Sequence, residues 1–427
     1  MKEKLVAIRV RIKKEFIRIS IVSLILMLCI YCKTEAFAKE TETQTAPGTL
    51  YARSGVLMDG SSGRILYEKN GEEFLANAST TKILTCILAL ENGSLTDVVT
   101  VSSYAASMPD VQLHIREGEQ YYLEDLLFSL MLESHNDVAV AIAEHISGSQ
   151  KEFSKLMNQK AKEIGCKNTV FLTPNGLDAT QIIGEQEVSH GTTAGDLALI
   201  MRYCIRISPQ KEEFLRITRT ASHKFWNLDK TRRFSCRNHN AFLTMMEGAV
   251  SGKTGFTGKA GYCYVGALER EGKCYIVALL ACGWPNNKSY KWSDCKKLMN
   301  YGLQEYELFR VEWLEDSYQK ELKAEVRNAK RSKMNREEEL VLKRQENEIK
   351  EVLLKKGEKI VTKINKKELE APLKQGEKAG WISYYIGDEK WMEEELYCDR
   401  NVERIDFEWC MLKILEKIII NGKMTEK

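Results

Sequence analysis

Residues 78–85 read Ala-Ser-Thr-Thr-Lys-Ile-Leu-Thr, so that Ser79 precedes Lys82 by three positions. On a helix that spacing places both side chains on one face, one turn apart. Apolar residues continue at helical spacing to Leu90, and Asn92, which is followed by glycine, is a typical helix end. A lysine whose amine is kept neutral by burial and by a second cation can take the proton of a serine hydroxyl. The stretch therefore predicts a buried helix with Ser79 as nucleophile and Lys82 as its base.

A Ser-x-x-Lys pattern recurs by chance in a chain of 427 residues, so later motifs decide its meaning. Ser134-His135-Asn136 interrupts a stretch that otherwise predicts helix over residues 123–145. Ser134 is expected to pass a proton to a leaving amine, and Asn136 to hold both Lys82 and a substrate amide. Taken alone, a Ser-x-Asn motif is more often a helix cap or a kink.

The third motif, Lys253-Thr254-Gly255, lies just before a predicted strand hairpin. A substrate that ends in a carboxylate needs a cation and a hydroxyl at that end, which Lys253 and Thr254 would supply from an edge strand. Gly255 would leave room for the substrate backbone, and the backbone amides of Ser79 and Phe256 would bind the oxyanion. A lone Lys-Thr-Gly is usually a turn. The three motif types in this order are typical of class A β-lactamases and penicillin-binding proteins.

The charge distribution argues for export and against a nucleic-acid-binding protein. The net charge is +3, but residues 1–38 hold eight Lys/Arg and three Glu, which leaves the remainder at about −2. A basic leader precedes an apolar run over residues 19–32, and residues 36–38 read Ala-Phe-Ala, as at a cleavage site. We expect a signal peptide at residues 1–38, a polar linker at 39–49, and export to the extracytoplasmic face of the cell membrane or the cell wall. An uncleaved membrane anchor is the alternative.

Ten cysteines remain once the predicted signal peptide is removed, and none of them forms a Cys-x-x-Cys pair. No histidine cluster lies beside them in the sequence, so a zinc site is not expected. Their scattered positions in apolar contexts favour small buried side chains over a disulfide framework. We expect no metal and no organic cofactor.

The order of predicted elements indicates an α+β fold. Runs of apolar and β-branched residues predict strands at residues 55–59, 64–68, 262–268 and 274–280. Helical periodicity marks, besides the Ser79 helix, residues 123–145 with their interruption, 153–164, 193–205 and 293–309. Strands at both ends with helices between them indicate one antiparallel sheet completed by both ends of the domain.

The sequence changes character after about residue 312, where Lys and Glu dominate. Short apolar runs punctuated by Gly and Pro predict a small β domain at residues 312–400, with a charged helix at 315–350 as the alternative. Residues 405–420 then predict an amphipathic helix that could lie on a membrane surface, and a plain packing helix is equally open. Its apolar face is formed by Phe407, Met411, Ile414, Leu415, Ile418 and Ile419.

Beyond the three motifs, the sequence resembles the D-alanyl-D-alanine carboxypeptidases, which are low-molecular-mass penicillin-binding proteins of the serine peptidase class. The likeness covers roughly residues 50–310 and includes Asn77–Thr85, Leu123–Leu127, Asn136–Ala141, Phe171–Asp178, Thr193–Ala198, Asn238–Asn240 and Lys253–Thr257. It implies a β-lactamase/transpeptidase-like catalytic domain at residues 50–311, an antiparallel sheet flanked by helices. A small β-sandwich-like domain at 312–400 and a membrane-surface helix at 401–427 would follow.

The resemblance also implies a reaction. Ser79 attacks the carbonyl between the two terminal D-alanines of a peptidoglycan stem pentapeptide, Lys82 acts as the base, and free D-alanine leaves. Water then releases the acyl-enzyme without a metal or cofactor. Penicillins, which mimic the D-Ala-D-Ala end, are expected to acylate Ser79 and stay bound.

Two other functions stay open at this point. A β-lactamase on the same scaffold would need a glutamate-activated water, and residues 165–184 contain no Glu. A catalytically idle peptidoglycan-binding protein would be supported only by His135, which stands where the family most often has glycine. We expect the His135 side chain to point away from the cleft rather than narrow it.

Overall fold

The structure is a computed structural model that describes residues 46–314, 318, 321–331, 338–345 and 351–424. The described residues from Leu50 onward belong to one compact unit. The predicted signal peptide and most of the predicted linker lie outside the described residues, so both stay predictions.

Strands occur near both ends of the catalytic region and throughout the region that follows it. They are β1 (Ser54–Asp59), β2 (Ile65–Lys69), β3 (Val98–Thr100), β4 (Gln120–Tyr122), β5 (Thr180–Ile183), β6 (Gln186–Ser189), β7 (Ser222–Trp226), β8 (Arg233–Arg237), β9 (Ala249–Thr257), β10 (Gly261–Arg270), β11 (Lys273–Leu280), β12 (Tyr306–Arg310), β13 (Lys323–Arg327), β14 (Glu338–Arg344), β15 (Glu351–Lys355), β16 (Ile360–Lys366), β17 (Leu369–Glu370), β18 (Lys378–Ile386) and β19 (Glu389–Cys398).

Helices fill the middle of the catalytic region and end the chain. They are α1 (Lys82–Asn92), α2 (Ser103–Ala106), α3 (Leu123–Leu132), α4 (Asn136–Ser147), α5 (Gln150–Ile164), α6 (Ala194–Arg202), α7 (Lys211–Arg219), α8 (Phe242–Met245), α9 (Tyr290–Glu305) and α10 (Phe407–Met424). Short 3₁₀ turns cover Ala78–Thr81 and Val311–Leu314, and a π turn covers Tyr203–Ile207.

The central sheet has the strand order β2-β1-β11-β10-β9, and every neighbouring pair is antiparallel. Strand β1 therefore pairs with β11 although more than two hundred residues separate them, with Val56 opposite Ala278. This confirms the sheet predicted from the two ends of the domain. It also places β9, which carries Lys253, at one edge, and an edge strand leaves backbone groups open to a ligand.

The two faces of this sheet are buried by different parts of the chain. Alternate β11 side chains divide between them: Ile276 and Ala278 join the core with α1, whereas Val277 and Leu279 join the core with α9. Because successive strand residues point to opposite faces, a strand buried on both sides reads as a continuous apolar run. The apolar run at 274–280 in the sequence has this origin.

Helix α1 lies at the centre of the larger core, and residues 82–90 are all buried. The predicted end is confirmed, since the amide of Gly93 closes the last turn on the carbonyl of Ala89. The predicted interruption is confirmed as well: α3 ends at Leu132 and α4 begins at Asn136. Ser134 and His135 thus lie in the connection between the two helices, and Asn136 is the first residue of α4.

The helix predicted at residues 293–309 is wrong at both ends. Helix α9 begins at Tyr290 and ends at Glu305, and residues 306–310 form β12. Strand β12 pairs antiparallel with β15, with Leu308 opposite Leu353. A partner strand some forty residues further along overrides the local helical pattern.

The region after residue 320 is a β structure, as predicted. Six strands form a sheet in the order β16-β18-β19-β14-β13-β17, with its own hydrophobic core. The described residues between 321 and 345 include two strands, which disagrees with the charged-helix alternative there. The predicted boundary at residue 311 stays a prediction, and both the β12–β15 pair and a bidentate Arg64–Glu358 ion pair cross it.

Helix α10 leaves an apolar face exposed. Phe407 is 81% exposed and Ile418 is 62% exposed, and other exposed apolar side chains between them are Met411, Leu412, Ile414 and Leu415. The side chain of Ile419 lies outside the described residues. Within the described part of the chain, no helix is both long and apolar enough to cross a membrane.

The ten cysteines of the described residues are free thiols, and eight of them are buried. Burial raises the pKa of the eight buried thiols, for example to about 12 for Cys263. These eight side chains pack as small apolar groups, as their sequence contexts predicted.

Candidate active site

Ser79 lies in the 3₁₀ turn that leads into α1, and its backbone is set by its neighbours. Ala78 adopts a φ of +48°, in the left-handed region that residues with a Cβ rarely enter. The Asn77 side chain donates to the hydroxyl of Thr81 at 2.9 Å, which closes the turn. Strain of this kind persists only where surrounding contacts impose it. Ser79 is thereby held half-buried just before a helix whose residues 82–90 are all buried.

The amine of Lys82 lies within hydrogen-bond distance of three oxygens. Its Nζ is 2.9 Å from Ser79 Oγ, 2.8 Å from Asn136 Oδ1 and 2.7 Å from the carbonyl oxygen of Asn175. A neutral amine has two N–H donors and one lone pair. Two of the three oxygens are carbonyl oxygens that can only accept, so a neutral Lys82 donates to both of them and its lone pair faces the Ser79 hydroxyl.

The surroundings of Lys82 favour this neutral form. Burial lowers the pKa of Lys82 well below its ordinary value, and the charge of Lys253 lowers it further, whereas Asp137 opposes the shift. Lys82 is 0% exposed, so its ammonium form would lose most of its hydration.

Lys253 on β9 contacts Ser134 rather than Lys82. Its Nζ donates to Ser134 Oγ and to the carbonyl of Thr254, both at 2.9 Å. Burial lowers the pKa of Lys253 to about 7. Ser134 itself has a φ of +74°, so this residue, like Ala78, is held in the left-handed region beside the site.

Gly255 allows β9 to pack closely against the Ser79 turn. An ideal Cβ on Gly255 would lie 2.9 Å from the amide nitrogen of Ser79 and 3.0 Å from the carbonyl oxygen of Asn77. The missing side chain therefore lets β9 approach the backbone of the Ser79 turn, and the expected room for a substrate backbone stays a prediction. This approach brings the Ser79 amide beside the strand that carries Phe256, whose ring is 43% exposed.

Asn136 uses its two ends differently. Its Oδ1 accepts from Lys82, whereas its Nδ2 donates to the carbonyls of Pro109 and Asp110 at 3.1 and 3.0 Å. The expected contact between Asn136 and Lys82 is present. The expected contact with a substrate amide stays a prediction, and Oδ1 is the atom that could accept this second hydrogen bond.

Asp137 is a residue whose part the sequence did not reveal. Its carboxylate accepts the backbone N–H groups of Leu113 and Ile115 at 3.0 and 3.2 Å, which ties the loop that contacts Asn136 to the start of α4. Asp137 is fully buried. A carboxylate next to an identified motif residue was the available signal.

His135 turns toward helix α3. Its Nδ1 lies 2.7 Å from Ser129 Oγ, the residue is buried, and burial lowers its pKa to about 4. The expectation that this side chain points away from the cleft agrees with these contacts. His135 packs between two helices as a neutral ring.

The Asn175 carbonyl is the other contribution that sequence reasoning missed. It belongs to the turn after Phe171, where Thr85 of α1 donates to the carbonyl of Pro174 at 2.7 Å. A Cβ on Gly176 would lie 2.0 Å from the carbonyl oxygen of Ala78, so the turn rests directly on the Ser79 segment. Because the contacting atom is a backbone oxygen, the identity of the residue at position 175 does not predict this contact.

Comparison with known proteins identifies the family of this chain. The family model for D-alanyl-D-alanine carboxypeptidases matches residues 39–281, more than half of the chain. The chain belongs to the D-alanyl-D-alanine carboxypeptidase family. A second model, for the C-terminal domain of penicillin-binding protein 5, matches residues 320–404. The second match covers the β structure that follows the catalytic region.

Relatives in this family align over about two thirds of their length. The D-alanyl-D-alanine carboxypeptidase DacF of Bacillus subtilis (strain 168) is 33% identical over 283 residues, which is 64% of this chain and 67% of the relative. DacC of Escherichia coli (strain K12) is 32% identical over 284 residues, 64% of this chain and 66% of the relative.

Solved structures of the family share the fold. Penicillin-binding protein 5 from Haemophilus influenzae matches with a TM-score of 0.66 and 25% identity, covering 84% of this chain and 99% of that one. Penicillin-binding protein D2 from Listeria monocytogenes, solved in the ampicillin-bound form, matches with a TM-score of 0.50 and 26% identity, covering 60% of this chain and 98% of that one.

Proposed function

We propose that this carboxypeptidase removes the terminal D-alanine from peptidoglycan stem pentapeptides through an acyl-enzyme on Ser79. The observation that carries the proposal is the 2.9 Å contact between Ser79 Oγ and a buried Lys82 Nζ whose two N–H groups already have carbonyl acceptors. This arrangement supplies a nucleophile and a base without histidine, metal or cofactor.

The acylation step follows from these positions. Ser79 Oγ bonds to the carbonyl carbon between the two D-alanines while its proton passes to Lys82 Nζ. The carbonyl oxygen becomes an oxyanion, for which the backbone N–H groups of Ser79 and Phe256 are the proposed donors. The C–N bond then breaks as Ser134 gives its proton to the leaving nitrogen and receives in turn the proton that Lys82 took from Ser79, so that both groups return to their starting forms. Water releases the shortened peptide as a carboxylic acid and restores the Ser79 hydroxyl.

Lys253 and Thr254 are proposed to bind the C-terminal carboxylate of the substrate. They lie on the edge strand β9, next to the Ser79 turn, and Lys253 already donates to Ser134. A carboxylate bound there would place the scissile bond between the proton donor Ser134 and the nucleophile. A charge-assisted contact of this kind both binds and orients the ligand.

β-Lactams are proposed to acylate the same serine. The Listeria relative is described in an ampicillin-bound form, and a penicillin carries a carboxylate at a similar place to D-Ala-D-Ala. A β-lactamase is less well supported, because the turn that faces Lys82 offers the Asn175 carbonyl and residues 165–184 contain no Glu to activate water.

Mass spectrometry of the purified protein tests the proposal. Incubation with a stem pentapeptide should yield the tetrapeptide and one equivalent of D-alanine, and incubation with penicillin should yield a long-lived adduct on Ser79. Rapid penicillin turnover without an adduct would favour the β-lactamase, and neither product nor adduct would favour a binding protein.

Carboxylate capture should weaken above pH 7. Only protonated Lys253 attracts a carboxylate, and its pKa of about 7 means that the protonated fraction of free enzyme falls as pH rises. We expect kcat/KM for a pentapeptide to fall about tenfold per pH unit well above pH 7. A stem peptide with an esterified C-terminus should lack this decline, as should Lys253→Ala at its lower rate. An equal decline with the ester would assign the titration to another group.

The C-terminal helix is proposed to lie on the membrane surface, on the extracytoplasmic side. Its exposed apolar side chains are unpaired with any core in the described structure, and an amphipathic helix of this length can insert its apolar face into a lipid headgroup region. This location requires export, which the predicted signal peptide would provide.

Deletion of residues 405–427 is expected to move the protein from membrane to soluble cell fractions. Ile418→Asp should act in the same direction, because it charges the apolar face, whereas Lys413→Gln on the other face is the matched control. Unchanged fractionation of the deletion variant would remove the basis for the anchor. Carboxypeptidase activity in solution should not depend on the deletion.

A further inference from the structure

The segment from His190 to Thr192 joins the two parts of the chain that meet at Lys82. Thr192 exchanges two backbone hydrogen bonds of 2.9 Å with Leu75, which leads to Ser79. Gly191 exchanges two of the same length with Val170, which leads to Asn175. One short segment is thus hydrogen-bonded both to the residues that lead to Ser79 and to the residues that lead to the Asn175 turn.

The His190 side chain repeats this connection closer to the site. Its Nδ1 lies 3.0 Å from the amide nitrogen of Leu172, and its Nε2 lies 3.0 Å from Thr81 Oγ1. A backbone N–H can only donate, so Nδ1 must be the acceptor. The proton of the neutral ring is therefore on Nε2, which donates to Thr81.

The partners of Thr81 agree with this assignment. Its hydroxyl donates to the carbonyl of Ala78 at 2.8 Å, so the oxygen is left to accept from His190 and from Asn77. His190 is 3% exposed, and burial lowers its pKa to about 4. The ring is thus neutral at pH 7, and a neutral ring has the one acceptor and one donor that these contacts need.

We propose that His190 is a positioning residue that fixes the Asn175 carbonyl relative to the Lys82 amine, by joining Leu172 to Thr81. This inference rests on the proposed function of Ser79 and Lys82. Lys82 can direct its lone pair at Ser79 only while both carbonyl acceptors stay in place, and Thr85 and Gly176 hold the other side of the same turn. A shift of the carbonyl by about 1 Å can cost up to about 100-fold in rate.

The test measures penicillin acylation of the full protein in two parts: the rate constant at saturating penicillin and the dissociation constant of the preceding noncovalent complex. For His190→Leu we expect the rate constant to fall about 10- to 100-fold, with the dissociation constant within twofold of wild type. His190→Gln keeps a donor for Thr81 and should recover part of the rate. Leu298→Ala, in the core on the other face of the sheet, is the control for lost stability.

Each outcome decides the matter. A rate constant of His190→Leu within twofold of wild type would mean that His190 has only a structural role. The same conclusion would follow if the fraction of enzyme that penicillin can label falls while the rate constant of that fraction is unchanged. If His190→Leu does not fold, His190→Asn decides in its place, because its shorter amide can accept from Leu172 but cannot reach Thr81: an unchanged rate constant overturns the proposal and a reduced one supports it. Wild-type protein that penicillin does not label at Ser79 would instead refute the proposed function.

Discussion

Ser79→Ala is expected to abolish both D-alanine release and the penicillin adduct. In the proposed reaction the hydroxyl oxygen of Ser79 bonds to the substrate carbonyl carbon, and the neighbouring threonines of the turn are buried and hydrogen-bonded within it. Removal of the nucleophile from a serine hydrolase can cost about a millionfold in kcat, so we expect a loss of at least about 10,000-fold. Tetrapeptide formation and intact mass after penicillin treatment measure the two losses.

The fold should survive this substitution. Ser79 Oγ is half-buried and its close hydrogen bond is the one to Lys82, so we expect a change of about 1 kcal/mol in the free energy of unfolding. Ser383→Ala in the C-terminal sheet, where the hydroxyl donates to Glu393 at 2.9 Å, removes a comparable hydrogen bond and should retain full activity. A stable adduct on Ser79→Ala would mean that another serine is the nucleophile.

The parts of this site that sequence reasoning found are those with a local signal. Ser79 and Lys82 are one helical turn apart, and the apolar stripe that follows them predicts the burial that the structure has. The hairpin predicted at residues 262–268 and 274–280 is present as β10 and β11, and the edge strand expected to carry Lys253-Thr254-Gly255 is β9. Residues three apart on one face of a helix, and residues that alternate between the two faces of a strand, form patterns that can be read directly from the sequence.

The parts that were missed depend on the tertiary fold. The Asn175 carbonyl is a backbone atom, and His190 acts through partners 18 and 109 residues away. The close approach of Gly255 to the Ser79 turn was also missed, because that turn lies far away in the sequence. The helix predicted at 293–309 overran into β12 because the partner strand begins at residue 351. In each case the determining contact is formed only after folding.

Lys82→Met is expected to lower the rate of acylation at least about 1,000-fold while leaving noncovalent binding of penicillin nearly unchanged. Methionine has a similar length and no amine, so Ser79 keeps its hydroxyl and loses the group that takes its proton. General-base catalysis typically contributes 100- to 10,000-fold, and here the same amine also orients the nucleophile. The residual rate should rise with hydroxide concentration, since solvent would then have to remove the proton.

The melting temperature of Lys82→Met distinguishes the loss of the base from a general destabilisation of the core. Methionine removes the cost of burying an amine, but it leaves Asn136 Oδ1 and the Asn175 carbonyl without their donor, so the two effects oppose each other. We expect the melting temperature to change by only a few degrees in either direction. An acylation rate above about 1% of wild type in Lys82→Met would transfer the role of base to another group. Lys253 would then be the first residue to test, because its amine contacts Ser134, the proposed proton donor to the leaving nitrogen.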